Sequence, residues 1–199
     1  MAGDRPLPEI RVEGTDDLHA IQELLHRHGI LCSTEKLTIP NSVLRIIVLG
    51  DVDHLEGSVS KSIRAANVRA YGFVLDADQH PNRRWQGLRT RFGNSGVAAP
   101  NELPPTGFVG TNANGTVRVG VWIMPDNSSP GMLENFLQTL ISNDDKLIPH
   151  AVTSTDKAKD ELGAKFIEEH RSKARLHTWL AWQENPGRPF GVALKSRYF

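Results

Sequence analysis

The chain has 199 residues and a mass of 22.0 kDa, which is enough for one good core and favours a single domain with room for a small appendage. Lysine plus arginine equals aspartate plus glutamate at 23 each, so there is no global basic footprint for nucleic acid, and local charge must carry any such contact. The lone Cys32 excludes an intrachain disulfide, the opening MAGDRPLPEI lacks the charged-then-apolar profile of a signal peptide, and no apolar stretch approaches a membrane span; the expectation is a soluble, cytoplasmic protein with no membrane partner.

Residues 8 to 13, PEIRVE, predict a short strand with Ile10 and Val12 on one face, closed by Gly14. Thr15 is placed to cap a helix over about 16 to 28, in which Leu18, Ile21, Leu24 and Leu25 recur at helical spacing and Gly29 supplies a left-handed terminator. Pro40-Asn41 breaks the next stretch, and VLRIIVLG reads as a buried strand rich in β-branched residues. A helix over about 53 to 67 leads into a further strand, YGFVLD, that ends at Asp76. Strand, helix, strand, helix, strand in this order predicts an α/β fold with a mostly parallel central sheet and helices on both faces.

PNRRWQGLRTRFG then fits a helix with Trp85, Leu88 and Phe92 as its inward stripe, flanked by Arg84 and Arg91. From Gly93 to Pro105 the composition is that of a loop. GFVGTNANGTVRVGVWIMPD predicts a β-hairpin turning at NANG, with Val117, Val119, Val121 and Ile123 on one face. SSPGMLENFLQTLI predicts a helix entered through Ser129 with Pro130 near its first position, facing the core with Leu133, Phe136, Leu137 and Leu140. Residues from about 155 to 183 predict a mostly helical C-terminal segment, and NPGRPFGVALKSRYF an irregular or appended tail.

Chemistry concentrates at strand ends. Side chains alternate along a strand, so Asp76 and Asp78 are expected on one sheet face with Ala77 opposite, and two carboxylates on one face repel unless a cation lies between them. An oxygen-only pair suits Mg²⁺ or Mn²⁺, whereas zinc prefers His and Cys. Taken alone, the pair equally describes an acidic turn, with Asp78 opening an Asx turn before His80-Pro81. Ligands of parallel sheets gather at the carboxyl ends of the strands, so Glu13, in VEGTDD, and the Asp76/Asp78 pair are expected to converge.

V-E-G-x-x-D at 12 to 17 followed by D-x-D at 76 to 78 resembles the Toprim domain of topoisomerases, bacterial primases and several nucleases. Within that group, VWIMPDNSSPGMLENFL and HRSKARLHTWLAWQENPGRPFG resemble a family of prokaryotic Toprim-like proteins related to the OLD nucleases. The resemblance implies Toprim core motifs over 1 to 92, a hairpin and helix completing the site over 107 to 141, and a helical segment and tail over 150 to 199. It implies metal ligands at Glu13, Asp17, Asp76, Asp78 and Glu134, a catalytic cation at Lys173, and Asp126 as a substitute ligand, because Met132 stands two before Glu134 where related enzymes carry a polar residue.

The activity so implied is Mg²⁺- or Mn²⁺-dependent cleavage of DNA or RNA phosphodiesters, with Arg83, Arg84, Arg89 and Arg91 holding the nucleic-acid backbone. It also implies an effector of anti-phage defence working beside a separate ATPase, since this sequence has no GxxxxGK[ST] loop, and it leaves room for a homo-oligomer. The bland alternatives stay open for each residue. Glu13, Asp17 and Glu134 sit where a helix dipole welcomes a carboxylate, Asp126 where a turn does, and the arginines suit a solvated face. The competing function is a non-catalytic Toprim-like module that binds nucleic acid, a nucleotide or a partner ATPase.

Overall fold

Alternation along the central strands decides the architecture. In a computed structural model describing residues 6–199, the Val52 side chain excepted, the strands are β1 (Glu9–Val12), β2 (Cys32–Thr34), β3 (Leu44–Val48), β4 (Ala70–Asp76), β5 (Phe108–Thr111) and β6 (Arg118–Met124). They form one six-stranded sheet in the order β2-β3-β1-β4-β6-β5, parallel except for β5, which pairs antiparallel with β6. Tyr71, Phe73 and Leu75 of β4 and Val119, Val121 and Ile123 of β6 point to one side; Val74, Trp122, Met124, Ile10 and Val12 point to the other.

Each face is covered by helices, as the strand and helix order predicts. On the first side lie α2 (Val52–Ala65), with Leu55, Val59 and Ile63, and α3 (Pro81–Gly93), whose Trp85, Leu88 and Phe92 meet Phe73 and Phe108 in an aromatic cluster. On the second lie α1 (Thr15–Arg27), α4 (Leu133–Gln138), α5 (Leu147–Asp160), α6 (Arg171–Leu180) and α7 (Phe190–Lys195). Burying such apolar side chains contributes about 1.5–3 kcal/mol each, so the two faces hold the sheet from both sides. Among the described residues, no helix is long and apolar enough to cross a membrane.

Several sequence expectations are corrected. Strand β2 was not foreseen, because three residues at a sheet edge carry no readable alternation. The cap of α1 is Gly14, whose N–H is taken by Asp17, and Thr15 is already helical. Helix α4 begins at Leu133 and not after Ser129, because Gly131 first makes a two-way backbone bridge to Asp78, N to O at 2.9 and 2.7 Å. Gly131 has φ of 145°, and a Cβ there would lie 2.9 Å from Asn135 Oδ1, so glycine is required.

The segment over 155 to 183 is two antiparallel helices, broken at 161 to 167 and entered again through a 3₁₀ turn, Glu168–His170. Arg171 clamps them through Asp156, Asp160 and Glu168. The tail is not an appendage. Helix α7 buries Phe190, Ala193 and Leu194 against α1, with Phe190 stacked on His177 at 4.8 Å between ring centroids. Phe190→Ala is therefore expected to cost about 3–5 kcal/mol in urea unfolding, as for other buried aromatic truncations; a loss within error would show that α7 does not contribute to the core.

Candidate metal centre

Strand β1 occupies the middle of the sheet, with β3 on one side and β4 on the other. From its carboxyl end β1 leads to α1 on one face, while β4 leads to α3 on the opposite face, so the connections of these two parallel neighbours diverge. Such a switch point opens a crevice at the carboxyl ends of the strands. Here Glu13 follows β1 and Asp76 ends β4, and the Asp76 N–H donates to Glu13 Oε1 at 2.9 Å.

The remaining groups arrive from the helices on the second face. Asp76 Oδ1 accepts the Leu133 N–H at 2.9 Å, which ties the first turn of α4 to the end of β4 and brings Glu134 alongside. Asp17 Oδ2 accepts the Gly14 N–H at 2.9 Å. Helix α6 contributes Lys173, whose Nζ lies 3.2 Å from Asp16 Oδ2 and 3.6 Å from Glu134 Oε1. Asn135 secures this docking by bonding the Met132 N–H and reaching Ser172 of α6. Glu13, Asp17, Asp76, Glu134 and Lys173 thus line one cavity of about 380 Å³.

Crowding of negative charge away from water dominates the electrostatics. Burial, reinforced by Asp17, Glu13 and Glu134, raises Asp76 to a pKa of about 8. Burial likewise raises Glu13 to about 7, against the opposing pull of the Asp76 N–H and Arg84. It raises Asp17 to about 6, with Glu134 and Asp16 adding to the effect. Burial works against the Lys173 charge, yet Asp16 and Glu134 together hold its pKa above the ordinary lysine value.

Other residues named from the sequence lie elsewhere. Asp78 does not share a face with Asp76: strand pairing stops at Asp76, Asp78 takes φ of 50°, and its half-exposed carboxylate turns to Arg84, outside the cavity lining. Its main chain bridges Gly131, just before the Met132 and Leu133 that line the cavity. Asp126 is outside as well. It is an exposed Asx turn, accepting from the N–H and hydroxyl groups of Ser128 and Ser129, which lower its pKa to about 2. On α3, Arg84 is bound to Asp78, Arg91 to Glu56 at 3.2 Å and Arg89 to Asn101, while Arg83 is exposed. Asp16 and His170 were missed although they line the cavity; Asp16 lies inside the acidic VEGTDD motif, which was the available signal.

The donor set is all oxygen and fits a hard divalent cation. These bonds orient Glu13 and Asp76 through one oxygen each, and among the described residues Glu13 Oε2 and Asp76 Oδ2 stay available to a ligand. Among the described residues, no three acidic, His or Cys groups already stand close enough together to hold an ion. A cation held here would have to draw these carboxylates closer together, against the mutual repulsion that raises their pKa values.

Fold and cavity define an α/β protein with an acidic centre at the switch point of a mostly parallel sheet. The chain belongs to the DUF3226 family, described as proteins of unknown function, whose model matches residues 8–199. No curated protein and no solved structure matches it.

Raised carboxyl pKa values have a definite sign in stability. Between an unfolded value near 3.8 and a folded value of about 8, Asp76 binds more protons folded than unfolded, so stability falls as pH rises through that window. Urea-unfolding free energy should drop from about pH 5 to about pH 8. Asp76→Asn keeps an acceptor for the Leu133 N–H and should flatten the profile, gaining about 2 kcal/mol at the alkaline end. A flat wild-type profile would contradict the buried cluster.

Proposed function

We propose that this cavity is the metal site of a Toprim-type nuclease that cleaves DNA or RNA phosphodiesters. What carries the reading is the convergence of Glu13, Asp17, Asp76 and Glu134 with Lys173 at a strand-end crevice, where burial and mutual repulsion leave the carboxylates short of positive charge. Glu13, Asp76 and Glu134 would hold Mg²⁺ or Mn²⁺, with Asp17 beside them. When bound, the ion supplies neutralisation of the phosphate and acidification of water. Lys173 places an ammonium at the cavity wall, suited to charge developing on the departing oxygen. Arg83, exposed near the start of α3, is available to hold the flanking backbone, whereas Arg84 is engaged with Asp78 and Arg91 with Glu56. Work as a defence effector beside a separate ATPase belongs to the same proposal.

A second reading is favoured by one observation. Lys173 already bonds Asp16 and lies near Glu134, so an ammonium partly balances the cluster without a metal, as suits a non-catalytic module that binds nucleic acid, a nucleotide or a partner.

Purified protein with Mn²⁺ should cleave plasmid DNA or tRNA, and Asp76→Ala should abolish the cleavage. Lys173→Met should lower kcat by about 10²–10³ while Mn²⁺ still binds by calorimetry. Identical faint products from wild type and Asp76→Ala, with no Mn²⁺ binding, would leave the non-catalytic reading standing.

A further inference from the structure

A second cavity shares a wall with the acidic one. It lies between α1 and α7, has a volume of about 310 Å³, and is lined by Asp16, His19, Glu23, Pro189, Val192 and Lys195. Asp16 belongs to both cavities, and its bond to Lys173 forms the sill between them. The size is at the lower end of small-molecule sites. The walls are set by packing: at Gly191 a Cβ would stand 2.6 Å from His19 Cβ, so α7 lies directly against α1 and the cavity opens beside that contact.

Its lining selects a class of ligand. Pro189 and Val192 give apolar surface and His19 a flat ring, which together suit the face of a planar heterocycle. Asp16 and Glu23 can accept hydrogen bonds from an exocyclic amine, as carboxylates do from cytosine N4. Two carboxylates against Lys195 and a histidine give no excess of positive charge, so a phosphate is disfavoured here and a neutral ring is not. Because Asp16 lines both cavities and bonds Lys173 of the acidic one, a base here would lie on the far side of Asp16 from a phosphate held there.

We infer that this cavity receives an amino-bearing nucleobase, cytosine or adenine, of the nucleotide whose phosphate meets the acidic centre. The placement of the phosphate rests on the nuclease reading; the binding of the base does not. The site then requires an unstacked base, so single-stranded or frayed substrate is preferred over intact duplex.

Cytidine and uridine titrated into the full chain, followed by calorimetry, test this directly, with Mn²⁺ titrated into the same preparation. Cytidine should bind, uridine about tenfold more weakly, and Glu23→Gln should erase most of that difference. Val192→Trp, at an exposed position that fills the cavity, should abolish nucleoside binding. No saturable nucleoside binding, or binding indifferent to both Val192→Trp and Glu23→Gln, overturns the inference even if Mn²⁺ binds. Nucleoside binding with no Mn²⁺ binding supports the base site and defeats the nuclease reading instead.

Discussion

At the crevice between β1 and β4, the N–H of Asp76 donates to Glu13 and the carboxylate of Asp76 accepts from Leu133. Two hydrogen bonds thereby join the central strand, its neighbour and the first turn of α4. Each uses a carboxylate oxygen that would otherwise be solvated, in a place where the surrounding carboxylates make ionisation costly. The geometry of the cavity depends on this pair of bonds, because they fix which oxygens remain directed at the pocket. Helix α4 in turn carries Asn135, through which α6 and Lys173 are brought to the same place.

The C-terminal third belongs to the centre. Lys173 comes from α6, α6 is held to α5 by the Arg171 cluster, and α7 packs on α1 beside the acidic motif. Without α6 and α7 on the second face, Glu134 and Asp17 would lie more open to water and their charge would be screened. Closing the second face desolvates the carboxylates and places one ammonium among them, so the same packing that stabilises the core sets the electrostatics of the cavity.

The parallel sheet, the inward stripe of α3 and the convergence of Glu13 with Asp76 were legible in the sequence because each follows from a local period or from strand order. What was not legible depended on backbone that leaves its period. Asp78 was assigned to the Asp76 face by alternation, but alternation holds only while the strand persists, and the positive φ at Asp78 redirects its side chain. Helix α4 was started too early because Ser129 and Pro130 look like a cap, while the bridge from Gly131 to Asp78 is a contact between segments far apart in sequence. Asp126 enters the ligand set through the resemblance, as a substitute for the polar residue that Met132 replaces, yet its own turn consumes its oxygens. Helix α7 is too short for a readable period and is stabilised by what it packs against.

The choice between a structural and a functional acidic cluster turns on compensation. Asp126 and Asp156 show how this chain treats carboxylates that serve structure: each is surrounded by donors, and each has its pKa lowered. Glu13, Asp17 and Asp76 are treated in the opposite way: one backbone donor is bonded to each, from a distant segment for Glu13 and Asp76 and from the helix cap Gly14 for Asp17, with burial and further carboxylates close by. Replacing one of them by a neutral residue of similar shape would relieve repulsion without losing a core contact, so stability alone gives no reason for the arrangement. Violations of local consistency of this kind gather at functional sites, where the missing partner is supplied by a ligand. On the reading proposed above, the ligand that would satisfy this all-oxygen cluster is a hard cation.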